Sequence, residues 1–127
     1  MIEKAKKAKY TEHSVHAVPK DILAKYFKKK NIGYELDEDL QGRVDFQVVN
    51  VFDKIQMKNL GKFDVIFSRN MLLYCNNASR EEVAMTFYDM LNPGGYVLLG
   101  QAEHMSHIVS VFKAKKIDNI LTYQKNE

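Results

Sequence analysis

Apolar positions recur along this chain with three different periods, and each period predicts a different element. In residues 19–29, Ile22, Leu23, Tyr26 and Phe27 recur at helical spacing. Pro19 before them suits a first helical position, where its missing N–H leaves nothing unbonded. Lys28, Lys29 and Lys30 close that helix, and Asn31-Ile32-Gly33 reads as a turn. Residues 34–40 then alternate, with Tyr34 and Leu36 apolar and Glu35 and Asp37 polar. Val44, Phe46 and Val48 alternate in turn with Arg43, Asp45 and Gln47. Two half-exposed strands across Gln41-Gly42 predict a small antiparallel excursion over about residues 32–45, continuing into a strand that ends near Phe52.

The second half reads differently. Val65, Ile66 and Phe67 follow one another without alternation, as do Val97, Leu98 and Leu99. Short continuous apolar runs suit strands covered on both faces, as in a parallel sheet. Between them, Val83, Met85, Phe87, Met90 and Leu91 predict a helix over 79–91. Ser79 and Glu82 form a capping box at its start, and Asn92-Pro93-Gly94-Gly95 stops it. Residues 108–112 and 120–123 read as a closing antiparallel pair around a basic bend at 113–116. Residues 1–9 read as the tail of a helix whose lysines suit its C-terminal dipole. Strand, helix and strand in this order predict an α/β fold with a Rossmann-like parallel sheet. Expected parallel strands lie at 44–50, 63–68 and 96–99.

Composition narrows the class. The chain has 127 residues, 46% hydrophobic and 28% charged, with a net charge of +3. That charge is too modest to argue for nucleic acid, and no recognition motif supports such a role. No apolar run approaches the roughly 18 residues of a membrane span. The single cysteine, Cys75, permits no internal disulfide, so a reducing cytoplasm is the expected setting. His13 and His16 lie three apart, but no cysteine or acidic cluster completes a metal site, and no metal is expected.

Candidate chemistry gathers where strands end. In open α/β sheets ligands bind outside the carboxyl ends of the strands. Three such ends carry polar groups here: Asn50 with Val51, then Ser68-Arg69-Asn70, then Gly100-Gln101. Surface turns after core strands have similar composition, so position alone does not decide between a site and a turn.

The stretch Phe63-Asp64-Val65-Ile66-Phe67-Ser68-Arg69-Asn70-Met71-Leu72-Leu73-Tyr74 resembles the long signature of the chemotaxis-receptor methyltransferases, the CheR family. Lys4-Ala5 through Tyr10, Pro19 through Phe27, Val44 through Val51, and Leu91 through Glu103 resemble further family segments in the same order. The resemblance covers nearly the whole chain. It implies an S-adenosylmethionine-dependent enzyme that methylates glutamate side chains of chemoreceptors, whose cytoplasmic region is the protein substrate. It places Asn50 and Val51 near the cofactor's adenine, Ser68 and Arg69 along the cofactor, and Arg69 and Tyr74 at the reacting end. Ser68 stands where the family usually has cysteine, Cys75 where it has phenylalanine, Gln101-Ala102 where it has His-Ser, and Ala8 where it has glycine.

The same resemblance implies a partial domain. The 127 residues contain neither a glycine-rich loop for the methionine end of the cofactor nor an acidic strand end for the ribose. They are expected to be the carboxyl-terminal portion of a methyltransferase catalytic domain, with the insertion at about 32–45. Alone, the chain is expected to bind S-adenosylmethionine weakly or not at all. In the family's sheet order, 3-2-1-4-5-7-6, two strands separate the one at 46–50 from the one at 65–68. The gap is expected to close by direct pairing of those two, by a missing amino-terminal half, or by a second copy of the chain. The alternative to an enzyme is an inactive module whose small antiparallel sheet binds a receptor tail or a partner chain by strand addition.

Overall fold

The computed structural model describes residues 2–69, 71–72, 75–100 and 111–126. It divides into two compact units, Met1–Val48 and Val49–Glu127.

The first unit contains helix α1 (Ile2–Lys7), strand β1 (Lys9–Tyr10), helix α2 (Lys20–Tyr26), strands β2 (Phe27–Lys29) and β3 (Tyr34–Leu36), and helix α3 (Glu38–Gln41). Its three strands form an antiparallel sheet in the order β1-β3-β2. The turn between β2 and β3 falls on Gly33, whose φ of +86° suits a residue without a Cβ. A side-chain carbon there would also lie 2.2 Å from the carbonyl oxygen of Tyr10. Tyr10 and Phe27 meet edge to face across the sheet, with ring centroids 5.9 Å apart.

Two expectations are corrected in this unit. Helix α2 starts after Pro19, which is extended at ψ 144°, and stops at Tyr26; Phe27–Lys29 leaves it as a strand. The hairpin therefore turns at Asn31–Gly33, and β3 pairs with β2 and β1 instead of with residues 44–48. Where the first arm was expected to run on into its turn, Asp37 opens α3, with Glu38 and Asp39 in the first turn, where acidic side chains suit the helix dipole. The Gln41 amide, read as a turn, donates to the Leu36 carbonyl at 2.6 Å and closes the end of β3.

Residues 44–50 form no strand. Alternation marks a surface that can be half-buried, but a strand also needs a neighbour to receive its backbone bonds. None pairs with this stretch among the described residues, and Val48 is 86% exposed. The expected pairing of this segment with the strand at 63–68 is thus absent.

The second unit holds helix α4 (Lys54–Asn59), strand β4 (Phe63–Ser68), helix α5 (Asn77–Met90) and strands β5 (Leu91–Leu99), β6 (Lys113–Ile117) and β7 (Ile120–Gln124). The sheet order is β4-β5-β7-β6. Strands β4 and β5 are parallel and joined through α5, while β7 is antiparallel to both β5 and β6. This is the 4-5-7-6 portion of the order implied by the family resemblance. The core lies under α5: Val83, Ala84, Phe87 and Met90 share one face of the helix and pack with Leu72, Leu91, Val97, Phe112 and Tyr123.

Local chemistry sets the ends of these elements. Asn76, not Ser79, caps α5; its Oδ1 accepts from the Ser79 N–H at 2.8 Å, so the cap lies three residues earlier than the capping box suggested. At the other end, Lys125 Nζ donates to the carbonyls of Tyr88 and Leu91 at 2.9 and 3.0 Å. Lys62 Nζ donates to the Asp89 carbonyl. Two cations thus satisfy the negative end of the helix dipole. The Asn92-Pro93-Gly94-Gly95 turn lies inside β5 as an irregularity: Leu91 pairs with Phe63, then Tyr96 with Val65. Asn92 Nδ2 donates to Asp64 Oδ1 at 3.0 Å, so the two most recognisable sequence motifs lock onto each other.

The closing hairpin is also shifted. The lysine stretch expected as a bend is β6 itself, and the turn falls on Asp118 and Asn119, with φ of +49° and +66°. Two consecutive left-handed residues suit the tight turn that matches strand twist. Residues 108–110 lie outside the described residues.

Strand β4 departs most from its expected burial. It pairs only with β5 among the described residues, and it forms the edge of the sheet. Val65 is 44% exposed and Phe67 70% exposed. The large penalty for an unmade backbone hydrogen bond applies to buried groups. On this open edge water can reach the backbone, which is why an unpaired strand is compatible with a folded sheet.

Candidate functional site

Because β4 and β5 are parallel, with Ser68 opposite Leu99, their carboxyl ends emerge side by side. Arg69 leaves one end and Gly100 the other. The Ser68 side chain turns inward: the residue is 5% exposed, and its Oγ is buried with no hydrogen-bond partner among the described residues. Buried hydroxyls are ordinarily bonded, so an orphaned one at a strand end is a group that a polar ligand atom or a water would satisfy. Arg69 is exposed and has no hydrogen-bond or ion-pair partner among the described residues.

These residues border an open groove of about 510 Å³ whose walls include Val51, Met57, Leu60, Phe67, Ser68 and Arg69. Its volume falls in the usual range for small-molecule sites, and its lining is apolar with few polar groups, as such sites are. Helix α4 forms one wall. It is held by Asp53, whose Oδ1 accepts from the N–H groups of Ile55 and Gln56 at 3.1 Å.

Val51, Ser68 and Arg69 are therefore brought together around one groove. Asn50 is not among the groove's lining residues. Its Oδ1 accepts from the Phe52 N–H at 3.0 Å, and its own N–H donates to Gln56 Oε1 at 3.0 Å. Asn50 serves as a turn residue that sets up the Val51 wall. Tyr74, Asn70 and Gln101–Glu103 lie outside the described residues.

Sequence reasoning missed two side chains that shape the site. Gln56 ties the 49–51 segment to α4; it stands three residues after Asp53, the spacing of a helix-start signature, which could have revealed it. Arg80 Nε donates to the Leu72 carbonyl at 2.7 Å and fastens the segment after Arg69 to α5. No sequence signal marks that contact. Cys75 is half-buried, with Sγ 3.8 Å from the Met71 carbonyl oxygen. Among the described residues no cluster could hold a metal ion, and no helix is long and apolar enough to cross a membrane.

Residues 1–121 match the family described as CheR methyltransferase, SAM binding domain. The chain belongs to the CheR methyltransferase family. It is 36% identical over 126 residues to chemotaxis protein methyltransferase 2 of Vibrio cholerae, covering 98% of this chain and 44% of that protein. It is 28% identical over 119 residues to the chemotaxis protein methyltransferase of Salmonella typhimurium, covering 91% of this chain and 41% of that one. The chain spans less than half the length of these curated relatives. Among solved structures, an O-methyltransferase family protein from Burkholderia thailandensis superposes with a TM-score of 0.54 at 19% identity, over 70% of this chain and 38% of that one. That likeness speaks for the fold: a mixed α/β methyltransferase sheet. S-adenosylmethionine is the cofactor of the CheR family. The residues present fit part of such a ligand: an apolar wall at Val51, a buried hydroxyl at Ser68 with no partner among the described residues, and an exposed guanidinium at Arg69.

Proposed function

We propose that this chain carries one part of the catalytic site of a CheR enzyme, which transfers a methyl group from S-adenosylmethionine to glutamate side chains on the cytoplasmic region of chemoreceptors. The observation that carries the reading is the groove at the joint ends of β4 and β5, where Ser68 and Arg69 meet the Val51 wall. The cofactor, when bound, supplies an electrophilic methyl carbon on a sulfonium. A glutamate carboxylate is already a nucleophile, so the protein needs no general base. It must align carboxylate oxygen, methyl carbon and sulfur and strip water from them. Arg69, exposed at the groove's rim, can hold a carboxylate by a charge-assisted bidentate contact. Ser68 gives a polar ligand atom one hydroxyl, and Val51 gives its ring an apolar wall. Tyr74 takes the mouth of the site on the strength of the sequence signature.

A second reading has its own observation. The small sheet leaves the outer edge of β2 unpaired among the described residues, with Lys28 and Lys29 exposed on it. Such an edge suits strand addition by an acidic receptor tail.

Calorimetry with S-adenosylmethionine and a methyl-transfer assay separate the two. The isolated chain should bind the cofactor weakly or not at all. Mixed with the remaining portion of a CheR domain, it should place labelled methyl on receptor glutamates as a base-labile ester. Arg69→Ala should lower that transfer by about tenfold or more, the loss of one charge-assisted contact. Absence of base-labile label from the mixture would sink the enzymatic reading. Low-micromolar cofactor affinity in the isolated chain would contradict the partial-site account.

A further inference from the structure

The segment that leaves β4 is held at both ends. Ser68, 5% exposed, is fixed by its pairing with Leu99. Leu72, 1% exposed, is fixed in the core beneath α5. Residues 69–71 lie between these two points, and Arg69 is the first of them. The Leu72 carbonyl accepts from the Cys75 N–H at 3.2 Å and from Arg80 Nε at 2.7 Å. Arg80 lies three, four and seven residues before Val83, Ala84 and Phe87, so the face of α5 that fills the core also carries this guanidinium. Arg80 is half-buried and stands in the first turn of the helix, where a cation gains nothing from the dipole. The helix itself gives no reason for an arginine at this position; the contact with the Leu72 carbonyl gives one.

We propose that Arg80 is a positioning residue for methyl transfer: by holding the Leu72 carbonyl it keeps Arg69 at the rim of the groove. Arg80 is not among the groove's lining residues, so it acts through Arg69 and not on a ligand. A hydrogen bond from an ionised donor is about twice as strong as a neutral one, which suits a tie that must hold a loop. When that tie is lost, the far end of 69–71 gains slack, and any shift of the backbone at Arg69 is carried out to its guanidinium. A displacement of about 1 Å in a group that aligns reactants can cost on the order of 100-fold in rate. The proposal rests on the reading of Arg69 as the group that holds a carboxylate.

Two variants separate the donor from the side chain that carries it. Arg80→Met keeps an apolar stem and removes the donor. Arg80→Gln places an N–H donor at the same distance along the side chain as Nε. In the mixture with the remaining portion of a CheR domain, Arg80→Met should lower kcat by about tenfold, no more than Arg69→Ala does. Arg80→Gln should recover most of that loss. In an Arg69→Ala background, Arg80→Met should cost less than about twofold, because residues that act as one unit are not additive. A merely structural loss would multiply with that of Arg69→Ala instead. Amide exchange in the chain alone reads the contact without activity. Arg80→Met should speed exchange of the Cys75 N–H, which shares the Leu72 carbonyl, by about fivefold or more and leave Val83 and Ala84 unchanged. If the wild-type mixture transfers no methyl, the enzymatic reading fails, and exchange at Cys75 still decides whether Arg80 holds the loop. Equal fold losses in both backgrounds, full activity of Arg80→Met, or unchanged exchange at Cys75 overturns the inference.

Discussion

Residues 49–127 bury Leu72, Val83, Leu91, Val97 and Tyr123 to 2% exposure or less, whereas the only apolar side chains buried in the described part of residues 1–48 are Ala8 and Val15. Both regions contain sheets, helices and recognisable apolar patterns. The difference lies in what the patterns meet. In the second unit Val83, Ala84, Phe87 and Met90 on one face of α5 join Leu91, Val97 and Tyr123 of the sheet in one core. In the first, strands of two or three residues carry Tyr10, Phe27 and Tyr34 with no buried layer behind them of comparable size. A small sheet without a deep core depends on its backbone ladder, its turn and a few side-chain pairs, and such regions open locally before the whole molecule does.

The largest way to break this contrast is in the second unit's core. Leu91, 1% exposed, is where α5 ends and β5 begins. Leu91→Ala should cost about 2–5 kcal/mol, the transfer loss plus the cavity left behind. Urea denaturation followed by far-ultraviolet circular dichroism reads this, and a loss below about 1 kcal/mol would show that the core relaxes around the site.

Next in size is a clash. A side-chain carbon at Gly95 would stand 2.9 Å from the carbonyl oxygens of both Asp64 and Asn92. Both contacts are backbone, which cannot swing aside as a flexible side chain would. Gly95→Ala should therefore cost about 1–3 kcal/mol, as overpacking does. It should also perturb the Asp64–Asn92 lock. A crystal structure of the variant with that bond still at 3.0 Å, together with unchanged stability, would refute the account.

How much of this was legible beforehand follows the same division. The run at 63–68 announced a strand and the polar residues after it announced its end; β4, Ser68 and Arg69 stand where that reading put them. Burial was misread, because a continuous apolar run says that a strand can be covered on both faces but not that a neighbour is present. Residues 44–50 failed for the same reason: alternation described a strand that no segment among the described residues pairs with. Ser79 lost its capping role to Asn76 because two cap signals lay three residues apart and the earlier one reached the free N–H groups first. The lysines of β6 looked like a bend because edge strands and basic turns share composition. Arg80 was invisible because its partner is a backbone carbonyl whose position depends on the fold, whereas Gln56 carried a signal in its spacing from Asp53 that went unread.

The smallest expected effect lies in the first unit and sharpens the comparison most. Tyr10 and Phe27 meet edge to face at 77° across the three-stranded sheet, Tyr10 from β1 and Phe27 from β2, with β3 between them. Such a pair contributes about 0.5–1.5 kcal/mol beyond the area it buries. Tyr10→Ala removes it, while the ladder bonds of β1 to β3 can still form, since they are made by backbone. If the first unit is a locally opening region, that loss should appear as faster amide exchange in β1, β2 and β3. The global urea midpoint, set by the core beneath α5, should barely move. The Gly33 turn gives an internal reference: its left-handed backbone is retained in the variant, so exchange should accelerate without the hairpin being lost. Equal acceleration in β5 and β7 would mean that the two regions unfold together and that their different burial does not translate into different local stability.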